Sequence, residues 1–192
     1  MMYEDNLLAG RGLKLMFFSQ LIYLVAALLG DNLLGNVLSL ISIAMSIGAL
    51  NVASPSHPLF GRAFWASILK LVINGLMMVL LITDWTGLLL GLTIFGLLLG
   101  VYVVYLVCTA AGQLLTVNGY TVLAAKGRTV WKVYLVCSIV LVCFMGMALL
   151  RFMVIVATMV LVGTAVAALV GVILYLMFLN NAYHALLGPE GS

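Results

Sequence analysis

Charged residues are scarce in this chain. Asp, Glu, Lys and Arg together make up 7% of its 192 residues, whereas hydrophobic residues make up 66%. A soluble domain carries roughly 25% charged residues, so this sequence has too little polar surface to cover a water-soluble globule. The composition predicts a membrane protein whose first partner is the lipid bilayer.

The residues that usually carry chemistry are also few. The chain has five acidic residues, two histidines and three cysteines, and none of them has the spacing of a metal site, a phosphate-binding loop or a serine hydrolase motif. His57 and His184 each lack an acidic or cysteine neighbour at ligand spacing. We therefore predict no metal, no cofactor and no catalytic residue, and a membrane enzyme is only the third interpretation of the function.

Apolar runs take the place of the missing polar residues. A helix needs about 20 apolar residues to cross a hydrocarbon core of roughly 30 Å. The sequence predicts an all-α integral membrane protein with a single membrane domain over 1–192, and the first run is interpreted as a retained helix because it lacks a signal-peptide cleavage pattern. The six predicted transmembrane helices lie at about 13–29, 33–50, 64–83, 87–108, 133–150 and 153–179.

The charges between the runs alternate in sign. Basic residues precede the first, third and fifth runs, and Asp31 and Asp84 stand in the short turns that follow the first and third. Lys and Arg are retained on the cytoplasmic side of a membrane, which predicts both chain ends inside. The compactness of the chain and the lack of targeting signals predict a bacterial cytoplasmic membrane as the location. The third outer turn is placed at Arg151, with Gly146 as the alternative, so Asp31, Asp84 and Arg151 are the predicted outer-face charges.

The net charge of +3 lies near the helix ends, where it meets lipid headgroups, and does not predict nucleic acid binding. The short outer turns hold Gly, Asp and Asn, which are turn residues, so the six helices are expected to form three helical hairpins. A Gly-Arg dipeptide precedes each hairpin, which indicates one hairpin unit used three times. These dipeptides are Gly10 with Arg11, Gly61 with Arg62, and Gly127 with Arg128.

Polar residues inside the third run form the candidate site. Ser67, Lys70 and Asn74 are spaced i, i+3, i+7 and so share one side of a helix. A lysine at the bilayer centre costs roughly 2.5 to 3.5 kcal/mol, which a binding site would explain. The alternative is that the helix begins near Pro58, capped by Ser56, and that Lys70 extends to the inner headgroups.

Small residues at helical spacing predict close helix packing, because they allow helix backbones to approach in lipid. Two such pairs on opposite sides of the fourth run would place that helix at the centre of the bundle, and a glycine-lined substrate path is the functional alternative. The predicted packing residues are Gly87, Gly91, Gly96 and Gly100 on the fourth run and Gly163, Ala167 and Gly171 on the sixth.

Two segments extend beyond the apolar runs on the inner side. The connector 109–131, with a turn expected at Asn118 and Gly119, and the tail 180–192 are the predicted contact regions for a membrane or cytoplasmic protein partner. The first interpretation of the function is therefore a non-enzymatic scaffold or accessory subunit. The alternative is a small-molecule transporter, or a transporter subunit, with a polar site around Lys70 and Asn74.

Overall fold

A computed structural model of the chain describes residues 2–29, 33–80, 86–149 and 154–188. These residues form six α-helices and no strand, so the predicted all-α fold is confirmed. Gly146 is helical, which excludes the alternative turn there, while Asp31, Asp84 and Arg151 lie outside the described residues. The helices are α1 (Met2–Leu29), α2 (Leu33–Ala53), α3 (Pro58–Leu80), α4 (Thr86–Val117), α5 (Thr121–Leu149) and α6 (Val154–Leu187).

Four of the helices contain apolar segments that are long enough to cross a membrane. A fifth helix, α2, contributes the shorter apolar segment Val37–Ala53. The described residues thus have the helices that a membrane protein requires. The four long segments are Glu4–Leu29, Pro58–Met77, Gly91–Val117 and Leu169–Leu187.

The helices are arranged as a closed ring. Each helix contacts the next one along the chain, and α6 completes the ring by contacting α1. Helix α4 contacts α3 and α5, with only a minor contact to α6. The expectation that α4 forms the centre of the bundle is therefore wrong, because α4 is one wall of the ring.

One end of the ring is tightly packed. We call it the inner end, after the side on which the sequence predicts these segments, and the opposite side the outer side. It holds the start of α1, the 54–57 loop, the 118–120 turn and the end of α6. Alanines are frequent there, which lets the helices approach closely. The connector and tail that were predicted to contact partners contribute many of the packed residues. Fully buried residues at the inner end include Ala9, Leu13, Leu50, Phe60, Val107, Ala110, Ala111, Leu115, Leu179 and Ala182.

The turn predicted between α4 and α5 is present. Gly119 has a φ of 85°, a conformation that glycine adopts without strain, and the Tyr120 amide donates to the Leu115 carbonyl at 2.8 Å. Asn118 and Asn6 exchange side-chain hydrogen bonds of 2.8 and 3.0 Å. This amide pair fastens the start of α1 to the α4–α5 turn.

The start of α3 is capped differently from the prediction. The Ser56 hydroxyl donates back to the Ala53 carbonyl at 2.6 Å, so it closes the end of α2. His57 caps α3 instead, because its Nδ1 accepts the Leu59 amide proton at 3.2 Å. A neutral ring nitrogen meets the same need as a serine oxygen, namely an acceptor for an unpaired amide in the first turn.

The glycines of the three Gly-Arg dipeptides do not share one packing role. Gly10 lies against Leu187 and Gly127 against Phe178, both on α6, whereas Gly61 has open space around it. The hairpin repeat therefore stays a prediction.

Helices α1 and α2 are in the closest contact. A Cβ atom on Gly12 would lie 2.6 Å from the Ala53 Cβ and 2.7 Å from the Ala49 carbonyl oxygen. Further along the same interface, the Ser19 and Ser46 hydroxyls share a hydrogen bond of 2.8 Å, and the Ser42 hydroxyl donates to the Ser19 carbonyl at 2.8 Å. Backbone proximity and buried hydrogen bonds together hold α1 and α2 against each other along their shared interface.

We expect Gly12→Ala to lower the melting temperature of the purified protein, because the added methyl group overlaps α2. Overpacking of this kind costs about 1 to 3 kcal/mol. Gly48→Ala is the matched control, since nothing lies within 4 Å of a Cβ at that position. Thermal unfolding in detergent measures both, and an equal effect of the two variants would contradict the close α1–α2 contact.

Candidate ligand-binding cavity

The ring contains a partly open cavity of about 390 Å³, to which all six helices contribute residues. It lies on the outer side of the packed inner end. On α1, for example, the buried Leu13 is followed by Met16, Gln20 and Tyr23, which line the cavity. The helices are thus packed against each other at one end, and the cavity lies between them further along.

The wall of the cavity combines apolar side chains with many polar ones. Among the described residues, α1 to α5 supply hydroxyl and amide groups and α6 supplies Tyr175. Lys70 is the charged residue among them. Such a wall is unusual for a chain with so few polar residues. The polar lining residues are Gln20, Tyr23, Ser39, Ser42, Ser46, Ser67, Lys70, Asn74, Thr93, Tyr134, Ser138 and Tyr175.

Helix α3 has its polar side towards the interior. Ser67, Lys70 and Asn74 all line the cavity, so the three residues of the candidate site are brought together. The opposite side of α3 is apolar and exposed, with Trp65 at 69% and Val72 at 60% accessibility. An apolar exterior and a polar interior reverse the pattern of a soluble helix, and this arrangement suits a helix that faces lipid on one side and a polar space on the other.

The Lys70 ammonium lies against α4. A Cβ atom built on Gly100 would be 3.3 Å from Nζ, so a larger residue at this position would displace the ammonium. Among the described residues, Lys70 has no hydrogen bond and no ion pair. The Lys70 side chain therefore lies between α3 and α4 in this structure. The alternative prediction has it extend to the inner headgroups.

Several other polar groups of the wall also lack partners. Within the described part of the chain, Gln20, Ser67, Asn74 and Ser138 make no side-chain hydrogen bond. No fully enclosed side-chain nitrogen or oxygen there is left unpaired, so these groups reach the open space of the cavity. Unpaired polar groups in an apolar protein cost free energy unless water or a ligand forms hydrogen bonds to them. The donors and acceptors of this wall are available to bond to water or to a ligand.

Aromatic rings separate the cavity from the packed inner end. Tyr175 is 2% exposed, its hydroxyl donates to the Met16 sulfur at 3.6 Å, and its ring lies 6.4 Å from that of Tyr134. Beyond Tyr175 on α6, Phe178 and Leu179 are buried in the core. The tyrosine pair is thus the inner boundary of the polar space.

The predicted packing glycines differ in their surroundings. Gly100 faces Lys70, and Gly171 faces Tyr134 and Cys137. A Cβ atom built on Gly96 would lie 4.0 Å from Ile73, whereas one built on Gly91 would meet nothing within 4 Å. The contacts of the other three predicted packing residues lie outside the described part of the structure. Those residues are Gly87, Gly163 and Ala167.

Sequence reasoning identified the α3 residues of the wall, and it named Gly96 and Gly100 on α4 as packing residues or, in the alternative, as part of a glycine-lined path. It missed the polar lining residues of α1, α2, α5 and α6. A signal for them exists. Met16, Gln20 and Tyr23 on α1 have nearly the spacing of Ser67, Lys70 and Asn74 on α3, and Tyr134 and Ser138 on α5 repeat part of it. A comparison of the odd-numbered helices with one another would have found these positions.

Comparison with family models, with curated proteins and with solved structures finds no match to this chain. Among the described residues, no group of three His, Cys, Asp or Glu is placed to hold a metal ion. The function has to be argued from the cavity itself.

We expect a cysteine at Asn74 to react with a small water-soluble thiol reagent, because a thiol in a polar cavity ionises, while one in lipid stays protonated. Val72→Cys is the matched control on the opposite side of α3. The background replaces Cys108, Cys137 and Cys143 with alanine. Labelling rates in liposomes should differ at least roughly tenfold, and equal rates would contradict a polar cavity beside an apolar outer face.

Proposed function

We propose that this chain is a six-helix integral membrane protein that binds a small polar molecule in its central cavity and carries it across the membrane, as a transporter or a transporter subunit. The observation that supports this most strongly is the Lys70 ammonium, which lines the cavity and has no hydrogen bond or ion pair among the described residues. Ionisable residues within membrane helices mark substrate or ion pathways.

The depth of Lys70 supports a transport site. Lys70 follows Pro58 by 12 residues and precedes Leu80 by 10, which places it roughly 18 Å from one end of α3 and roughly 15 Å from the other at 1.5 Å per residue. Transporters hold their substrates near the middle of the bilayer. The volume of about 390 Å³ is within the range of roughly 300 to 1,000 Å³ for small-molecule sites.

The packed inner end supports the same proposal. Tyr134 and Tyr175 bound the cavity on that side, and the Asn6–Asn118 pair ties α1 to the α4–α5 turn. A transporter has to close its site to one compartment while the site is accessible from the other. The described residues provide such a closure at the inner end.

A scaffold or accessory subunit is the second candidate. The connector 109–131 and the tail 180–192 contribute buried residues to the inner core, which leaves less of them for a partner. The turn between α4 and α5 still exposes apolar side chains, with Val117 at 64% and Val122 at 73% accessibility. An exposed apolar patch of this kind fits a protein partner.

The proposed topology has six spans, three hairpins and both chain ends in the bacterial cytoplasm. We expect single cysteines at Pro55, Val122 and His184 to be labelled from the cytoplasmic side, and cysteines at Asp31 and Asp84 from the outer side. The basic inner segments are the physical reason. Labelling of intact cells with a membrane-impermeant reagent measures this, and His184 and Val122 on opposite sides would contradict the topology.

We expect Gly100→Leu to abolish ligand binding, because the new side chain occupies the space of the Lys70 ammonium. The probes are amino acids, monocarboxylates, sugars and nucleosides, tested by their effect on the melting temperature and by uptake into proteoliposomes. Bound ligand raises the melting temperature by mass action. Gly91→Leu is the control on the same helix, since its surroundings are open.

Two outcomes would contradict transport. In one, compounds stabilise Gly100→Leu as strongly as the unmodified protein, which would place their site outside the cavity. In the other, no probe class stabilises the protein or enters proteoliposomes, which would favour the accessory-subunit function.

A further inference from the structure

We infer that the ligand of this cavity is an organic monoanion, a compound with one carboxylate on an apolar body, whose carboxylate pairs with the Lys70 ammonium. This inference rests on the proposed function and names the substrate class of the same site. The charge of the wall, its hydrogen-bonding groups and its apolar surface each support one part of it.

The charge of the wall favours a negative ligand. Among the described residues that line the cavity, Lys70 is the one that carries a charge, and none is acidic. Glu4 and Asp5, the acidic residues that the structure describes, lie in the first turn of α1 at the inner end. A buried charge without a counter-charge is costly, and a single negative charge on the ligand would give a neutral complex.

The groups beside Lys70 suit a carboxylate. Asn74 lies one turn further along α3 and Ser67 one turn before, both lining the cavity without hydrogen-bond partners among the described residues. An ammonium, an amide and a hydroxyl on one helix face can each donate to a carboxylate oxygen. One lysine without an arginine is a weak match to a phosphate dianion, which favours bidentate guanidinium partners.

The rest of the wall favours an organic body over a bare inorganic anion. Apolar side chains line the cavity beside the polar ones, among them Ile43, Met77 and Leu97. Methionine adapts to irregular ligand shapes. A chloride ion would fill little of the volume of about 390 Å³ and would leave this apolar surface without a contact.

The experiment measures thermal unfolding of the full-length protein in nanodiscs. The probes are acetate, benzoate, phenylacetate and indole-3-acetate, each compared with its neutral amide, and sodium chloride and sodium phosphate at equal ionic strength. We expect an aromatic carboxylate at about 100 times its Kd to raise the melting temperature by about 5 °C. The matching amide should bind at least about tenfold more weakly, since it lacks the charge.

Substitutions at Lys70 test the ion pair. Lys70→Met should bind carboxylates at least about tenfold more weakly, while its unliganded form should unfold at the same or a higher temperature because an unpaired charge is removed. Lys70→Arg keeps the charge and should retain part of the binding. Lys132→Met is the control, since Lys132 is an exposed basic residue on α5 that does not line the cavity.

The results separate this inference from the proposed function. If amides bind as well as carboxylates, or if carboxylate binding survives Lys70→Met, the inference that the ligand is an anion is wrong. A ligand site in the cavity would still stand in that case. If chloride is the only probe that stabilises the protein, and does so through Lys70, the inference that the ligand has an organic body is wrong. If no probe binds and Gly100→Leu also has no effect on any compound class, both the inference and transport are wrong.

Discussion

The constraint on which the rest of this structure depends is a lysine ammonium inside a ring of helices, with no hydrogen bond or ion pair to any residue that the structure describes. A charge in that position is tolerated only beside polar groups, water or a counter-ion. Helix α3 accordingly turns its polar side inwards and exposes Trp65 and Val72. Gly100 leaves room for the ammonium on α4, and serines from α2, α3 and α5 face the same space.

Two kinds of packing divide the ring along its length. At the inner end, small residues let the helices approach closely, as Gly12 does against Ala53, and long extensions of α1, α4, α5 and α6 fill the interior. Beyond Tyr175, away from the inner end, polar side chains line the space between the helices, and the Ser42 and Ser46 hydroxyls also hydrogen-bond to α1. The protein therefore combines a closely packed end with a partly open section that holds the cavity.

The helices and the α4–α5 turn were predictable because their signals are local. Apolar runs between charges define the helices, and Asn118 with Gly119 defines the turn. The cap of α3 was assigned to Ser56 rather than His57, because either side chain can accept the amide proton and only the backbone geometry chooses between them. The arrangement of the helices in a ring was not predictable from the sequence. Small residues such as Gly91 and Gly96 permit a close helix contact but do not determine which helix makes it.

The contacts around the ring are unequal, and this inequality bears on how a ligand would reach the cavity. Helices α1 and α2 are held by buried serine hydrogen bonds, whereas α2 and α3 share the least extensive contact between sequence neighbours in the ring. Separating two helices disrupts their packing in proportion to the contact between them. Among the described residues, the α2–α3 seam therefore has the least packing to lose on opening, and it borders the helix that carries Lys70. Access at this seam would expose the lysine and leave the α1–α2 hairpin and the inner end intact.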